Sequence, residues 1–140
     1  MPSSQPSVET VLAFASLHAQ FLKRIEQGMS AHGLSFSEFQ VLRALDAAPD
    51  QTMRRLDLAE AVGLTASGVT RLLQPMEKTG LVRKQPHPRD ARMSLVQLTS
   101  AGAAIHADAT ASFTHLAGEL TAHLSSQQLA TFGQLIDLLR

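Results

Sequence analysis

Between Leu56 and Thr99 the apolar residues change period once, and that change limits the fold more than any other feature of the chain. Up to Gly80 they recur at helical spacing, and beyond it two short runs rich in β-branched and apolar residues flank a Pro-rich turn. The order is therefore helix, turn, helix, hairpin. Val69, Leu72, Leu73 and Met76 fall at i, i+3, i+4 and i+7, so the second helix has one apolar stripe and presents Ser67, Thr70, Arg71, Gln74 and Lys78 on the opposite face. Thr65 stands where an N-cap belongs, and Leu64 with Val69 fits a hydrophobic staple. Ala66, Ser67 and Gly68 keep the first turn small, which lets another molecule's backbone come close. Pro75 removes a backbone donor, and a bend or slackened last turn is expected before Gly80 ends the helix.

The preceding helix should run from about Leu56 to Val62, with Leu58, Ala59 and Val62 inward and Asp57 and Glu60 outward. Arg54, Arg55 and Leu56 occupy the place of a Ser or Asp cap, so no local side chain caps it. After Gly80, the runs Leu81–Gln85 and Arg92–Leu98 form a hairpin around Pro86, His87, Pro88, Arg89 and Asp90. Asp90 and Arg92, two apart, can share one side of that tip. Their carboxylate and guanidinium then either brace each other or form a surface pair worth under about 1 kcal/mol.

A formal net charge of zero conceals a separation of charge along the chain. From Gln51 to Thr99 eight Lys and Arg face four Asp and Glu, an excess of four positive charges, and the rest of the chain carries the matching negative excess. A basic segment that is also helix, turn, helix and hairpin suits duplex DNA: one helix enters the major groove, and the cations release counterions from the phosphates. Thr70 and Arg71 project together, and Arg71 can reach either a guanine edge or a phosphate. Arg92 suits a narrow minor groove.

Other function classes find little support. The absence of Cys removes disulfides, zinc-thiolate sites and thiol-based peroxide sensing. His18, His32, His87, His106, His115 and His123 include no i, i+3 or i+4 pair, so neither a metal nor another cofactor is expected. No phosphate loop, Ser-containing elbow or HExxH points to an enzyme. No apolar run approaches the roughly 18 to 20 residues of a membrane span, and MPSSQPSVET lacks the regions of a signal peptide, so a cytoplasmic location without membrane contact is expected.

The flanks point to a second copy of the chain. Val8, Val11, Ala15, His18, Leu22, Ile25 and Met29 alternate steps of three and four along a helix of about six turns. A helix from about Ser100 to Ala122 shows Ile105, Ala109, Phe113, Leu116 and Leu120. Ser125-Ser126-Gln127-Gln128 then reads as a capping box before Leu129, Phe132, Leu135, Ile136 and Leu139. One small domain does not require three such stripes, which serve either a dimer or a closed monomeric bundle.

The pattern Leu34 to Leu45, Leu58-Ala59, Val69-Thr70-Arg71-Leu72, Gly80-Leu81-Val82, Arg89-Asp90-Ala91-Arg92 and Leu98-Thr99-Ser100-Ala101-Gly102 resembles the MarR family of winged-helix regulators. The resemblance covers about Leu34 to Ile105. It implies a mainly α fold with a small β-hairpin wing: one domain over 1–140, with a winged helix-turn-helix lobe at about 35–99 and dimerisation helices at about 8–30 and 100–140. It further implies a homodimer on a palindromic operator in double-stranded DNA, usually a repressor, released by a small aromatic or phenolic effector. The candidate DNA contacts are Arg54, Thr65, Ser67, Thr70, Arg71, Gln74, Arg89, Asp90 and Arg92. The candidate effector residues, in the cleft between dimer helices and DNA lobe, are His18, Phe21, His32, Phe36 and Met53. This chain departs from the family pattern at His87, where an acidic residue is common, at Pro75 and in having no Cys. The competing reading is a helical dimeric adaptor that binds no specific DNA.

Overall fold

In a computed structural model, residues 5–140 are described. Helix α1 spans Pro6–Ser30, with proline in its first turn, where a missing N–H costs no hydrogen bond. Helix α2, Phe36–Ala47, starts in a reciprocal capping box between Ser35 and Glu38. A 3-10 turn at Pro49–Gln51 leads into β1, Thr52–Arg54. Then follow α3, Arg55–Val62, and α4, Ala66–Lys78. Strands β2, Val82–Pro86, and β3, Ser94–Leu98, precede the long α5, Ser100–Leu120, and the last helix α6, Ser126–Leu138.

The mainly helical architecture with a small sheet agrees with the sequence reading, with one addition. The expected hairpin is a three-stranded antiparallel sheet of order β1-β3-β2. Thr52, Met53 and Arg54 pair with Gln97, Val96 and Leu95, so β1 closes the free edge of β3. Pairing that edge inside the chain removes a row of open backbone groups.

Helix α2 forms the centre of the core through Phe39, Val41, Leu42 and Leu45, against Leu58 and Ala59 of α3, Val69, Leu73 and Met76 of α4, and Val82, Val96 and Leu98 of the sheet. The stripe predicted for α4 is the face it buries. α4 continues through Pro75 for another turn to Lys78. It ends at Gly80, φ +79°, where the Leu81 amide donates to the Met76 carbonyl and the Gly80 amide to that of Glu77.

The segment Leu98 to Gly102 fixes how α5 leaves the sheet. Thr99 caps α5 by accepting from the Gly102 amide, while its own amide and hydroxyl both donate to the Leu81 carbonyl. A Cβ on Gly102 would stand 2.1 Å from that same carbonyl oxygen. Only glycine lets α5 cross this close. Farther along, stacked Phe36, Phe39 and Phe113 tie α2 to α5, with centroids of Phe39 and Phe113 5.1 Å apart.

Candidate nucleic-acid interface

Helix α4 is presented by its cap. Thr65 Oγ1 accepts from the Gly68 amide at 3.0 Å, satisfying one of the open donors at the helix start. Such a cap is worth about 1 kcal/mol. Thr65, Ser67, Arg71 and Gln74 are exposed and Thr70 is half-buried, so the face opposite the buried stripe is open. Arg71 lies along a groove shared with Ser37 and Glu38 at the start of α2 and with Leu64, Gly68, Leu72 and Pro75.

The hairpin adjoins this helix. Lys84 Nζ on β2 is 3.8 Å from Glu77 Oε2 on α4, linking the two elements near their junction. Arg83, Lys84, Arg89 and Arg92 are exposed. Arg83 Nε donates to Gln97 Oε1 at 2.7 Å, which fixes its root along the sheet.

At the tip the expected brace takes a different form. Asp90 Oδ1 accepts from the Arg92 backbone amide at 3.0 Å, and the two side chains form no ion pair. The carboxylate therefore shapes the turn instead of aiming the guanidinium, because a short Asp side chain reaches the amide two residues on more easily than a distant side-chain head. His87 Nδ1 accepts from the backbone amides of both Arg89 and Asp90 at 3.1 Å. As an acceptor, the imidazole gathers two amides that a carboxylate could hold.

Sequence reasoning passed over Arg55. As the first residue of α3 it looked like part of a capless helix start, and the helix indeed has no side-chain cap. Its Nη1 instead donates to Thr70 Oγ1 on α4 at 3.1 Å, and its Nε is buried with no partner. Arg54 beside it is exposed, with Nε 4.0 Å from Asp57 Oδ2. His106, one of six scattered histidines in sequence, is buried on α5 between the Phe39 ring, Thr110 and Asp46, with Nδ1 3.7 Å from Asp46 Oδ2.

Of the five candidate effector residues the fold gathers three. His18, Phe21 and Phe36 line an apolar groove of about 210 Å³ with Phe14, Leu17, Leu22, Ile25, Phe132 and Ile136. His32 does not line it: its Nε2 is 2.7 Å from Ser112 Oγ, joining the α1–α2 turn to α5. Met53 sits in β1 opposite Val96 and packs on the core. Among the described residues no group of three or more His, Cys, Asp or Glu is placed to hold a metal ion. No described helix is long and apolar enough to cross a membrane.

Comparison with known proteins decides the family. A sequence model of the MarR family matches residues 32–93. The transcriptional regulator HosA of Escherichia coli O111:H- is 31% identical over 103 residues, 74% of this chain and 75% of HosA. The chain belongs to the MarR family. A repressor of Bacillus subtilis strain 168, the HTH-type transcriptional repressor YetL, is 28% identical over 98 residues, 70% of this chain. The match spans 59% of YetL's own length. The fold is that of Sco3205, a MarR family transcriptional regulator from Streptomyces coelicolor solved in complex with DNA. That structure superposes with a TM-score of 0.90 at 17% identity, covering 99% of this chain and 89% of the other.

Proposed function

We propose that this MarR-family chain is a sequence-specific DNA-binding transcriptional regulator in the cytoplasm, acting as a homodimer on a palindromic operator. The observation that carries this reading is the open polar face of the capped α4 beside the exposed cations of the β2–β3 hairpin. A helix so presented can enter a major groove while the hairpin follows the neighbouring backbone. Arg71 and Gln74 are the side chains on that face with the donors and reach to read base edges, and Ser67 and Thr65 lie at the helix start, where small residues permit close approach to a phosphate. Arg54, Arg89 and Arg92 supply charge at the borders, with Asp90 shaping the tip.

The homodimer follows from apolar surface that the single chain leaves uncovered. Val8, Val11, Leu12 and Phe14 of α1 and Leu135 and Leu138 of α6 are all exposed, and α6 buries no residue at all. Faces of this kind seek another apolar surface. Two copies related by a two-fold axis would set their α4 helices about 34 to 36 Å apart, one duplex turn.

The groove lined by Phe14, His18, Phe21 and Phe36 offers aromatic walls to a small aromatic or phenolic effector, and His18 offers a polar contact at its lip. Because α1 and α6 line it, an occupant would alter how the flanks pack, and thereby the spacing of the two α4 helices. Repression with effector release is the mode this arrangement suits. YetL, a relative, is itself named a repressor.

The test is duplex binding across a salt series, using fragments selected from random-sequence DNA. A phosphate-contacting dimer loses affinity linearly in log–log form as salt rises. Weak binding that does not change with salt favours the adaptor reading. Adding salicylate as a probe should lower affinity for the selected duplex, and replacing both His18 and Phe36 by Ala should abolish that response.

A further inference from the structure

We propose that Arg55 is a positioning residue: it holds Thr70 from beneath α4 and so sets which bases that helix accepts, without meeting DNA itself. The inference rests on α4 being the DNA reader. Arg55 Nη1 donates to Thr70 Oγ1 at 3.1 Å, and the same hydroxyl donates to the Ala66 carbonyl at 3.0 Å. A hydroxyl has one proton, and here that proton is committed within the helix.

This changes what Thr70 can read. Without a free donor it cannot bond a phosphate, guanine O6 or N7, or thymine O4. What it retains is a methyl group, which suits the thymine methyl, and a remaining lone pair, which can accept from an adenine or cytosine amine. Its rotamer is held from both sides, by Ala66 in its own helix and by Arg55 from α3.

Arg55 itself is half-buried, with the root of its guanidinium turned inward. Its Nε is buried and unpartnered, and it forms no ion pair among the described residues. Arg54 and Arg71, by contrast, are exposed, and neither donates to Thr70. The apolar contacts of Leu58, Ala59, Val69 and Leu73 already pack α3 on α4, so the polar bond adds orientation to a contact that exists without it.

The test compares a duplex selected from random sequence by the wild-type protein with a scrambled duplex of the same composition. R55M keeps the unbranched stem and removes the donors, and T70V keeps the shape and removes the hydroxyl. Each should lower the selected-to-scrambled affinity ratio about tenfold. The double variant should fall no further than T70V alone, because the arginine acts only through the Thr70 hydroxyl. The slope of log affinity against log salt should not change. Equal losses on both duplexes, with the slope reduced by about one, would overturn the proposal by making Arg55 a phosphate contact. An unchanged ratio would overturn it as well. Should R55M fail to fold by circular dichroism, R55Q, whose shorter side chain does not reach Thr70, carries the same prediction. A wild-type protein with no preference between duplexes would remove both this proposal and the reading beneath it.

Discussion

The lobe from Leu34 to Thr99 and the helices that flank it are built on opposite terms. The lobe holds fourteen of the sixteen buried apolar residues among those described, and the flanks hold ten of the twelve large apolar residues left exposed. In the lobe, α2, α3, α4 and the sheet enclose one another, so a single chain completes its core. In α6 nothing is enclosed, and in α1 only Met29 is fully buried. The contrast separates a lobe that completes its own core from flanks that leave apolar area uncovered. Capping and core packing close the lobe on itself, whereas much of the apolar area of the flanks stays open.

Three substitutions separate the two regions, beginning with the largest effect. G102A strikes the joint between them: its Cβ would meet the Leu81 carbonyl oxygen at 2.1 Å and Leu98 Cδ1 at 2.8 Å. Backbone cannot yield there without breaking the Thr99 bonds, so a loss of about 3 kcal/mol or more is expected in chemical denaturation. L135D acts on the flank alone. Leu135 is 54% exposed in one chain, so a monomer should tolerate the charge. A dimer that buries it should weaken by about 2 kcal/mol or more, read by sedimentation as a shift toward one-chain mass. An unchanged mass would mean that this face stays uncovered. T65A is the mildest and confines itself to the lobe. Losing the bond to Gly68 should cost about 1 kcal/mol, seen as a fall in Tm of about 4 °C with the oligomer intact.

Much of the lobe could be read from residue order because its signals are local. The Thr65 cap and the buried stripe Val69, Leu73 and Met76 each depend on residues within one or two turns, as does the capping box at Ser125 and Gln128 in the flank. Ser35 and Glu38 carry the same signal and could have been read in the same way. What escaped depends on distant partners. Strand β1 has only three residues and exists because β3 offers an edge more than forty positions later. Arg55 resembled a missing cap because Thr70, which it bonds, lies a helix away. His106 looked isolated for the same reason, since Asp46 belongs to α2. The candidate effector residues divided likewise: the α1–α2 turn draws His32 to Ser112, and the sheet takes Met53.

In the proposed dimer, a complete reading lobe works only when the flanks join two copies. Sedimentation of the protein on its selected duplex, titrated from protein-poor to protein-rich at moderate salt, tests it directly. Two chains per duplex, bound together, are expected, with one-chain complexes absent throughout and half-sites about one helical turn apart. Stepwise binding of single chains with the same sequence preference would contradict it.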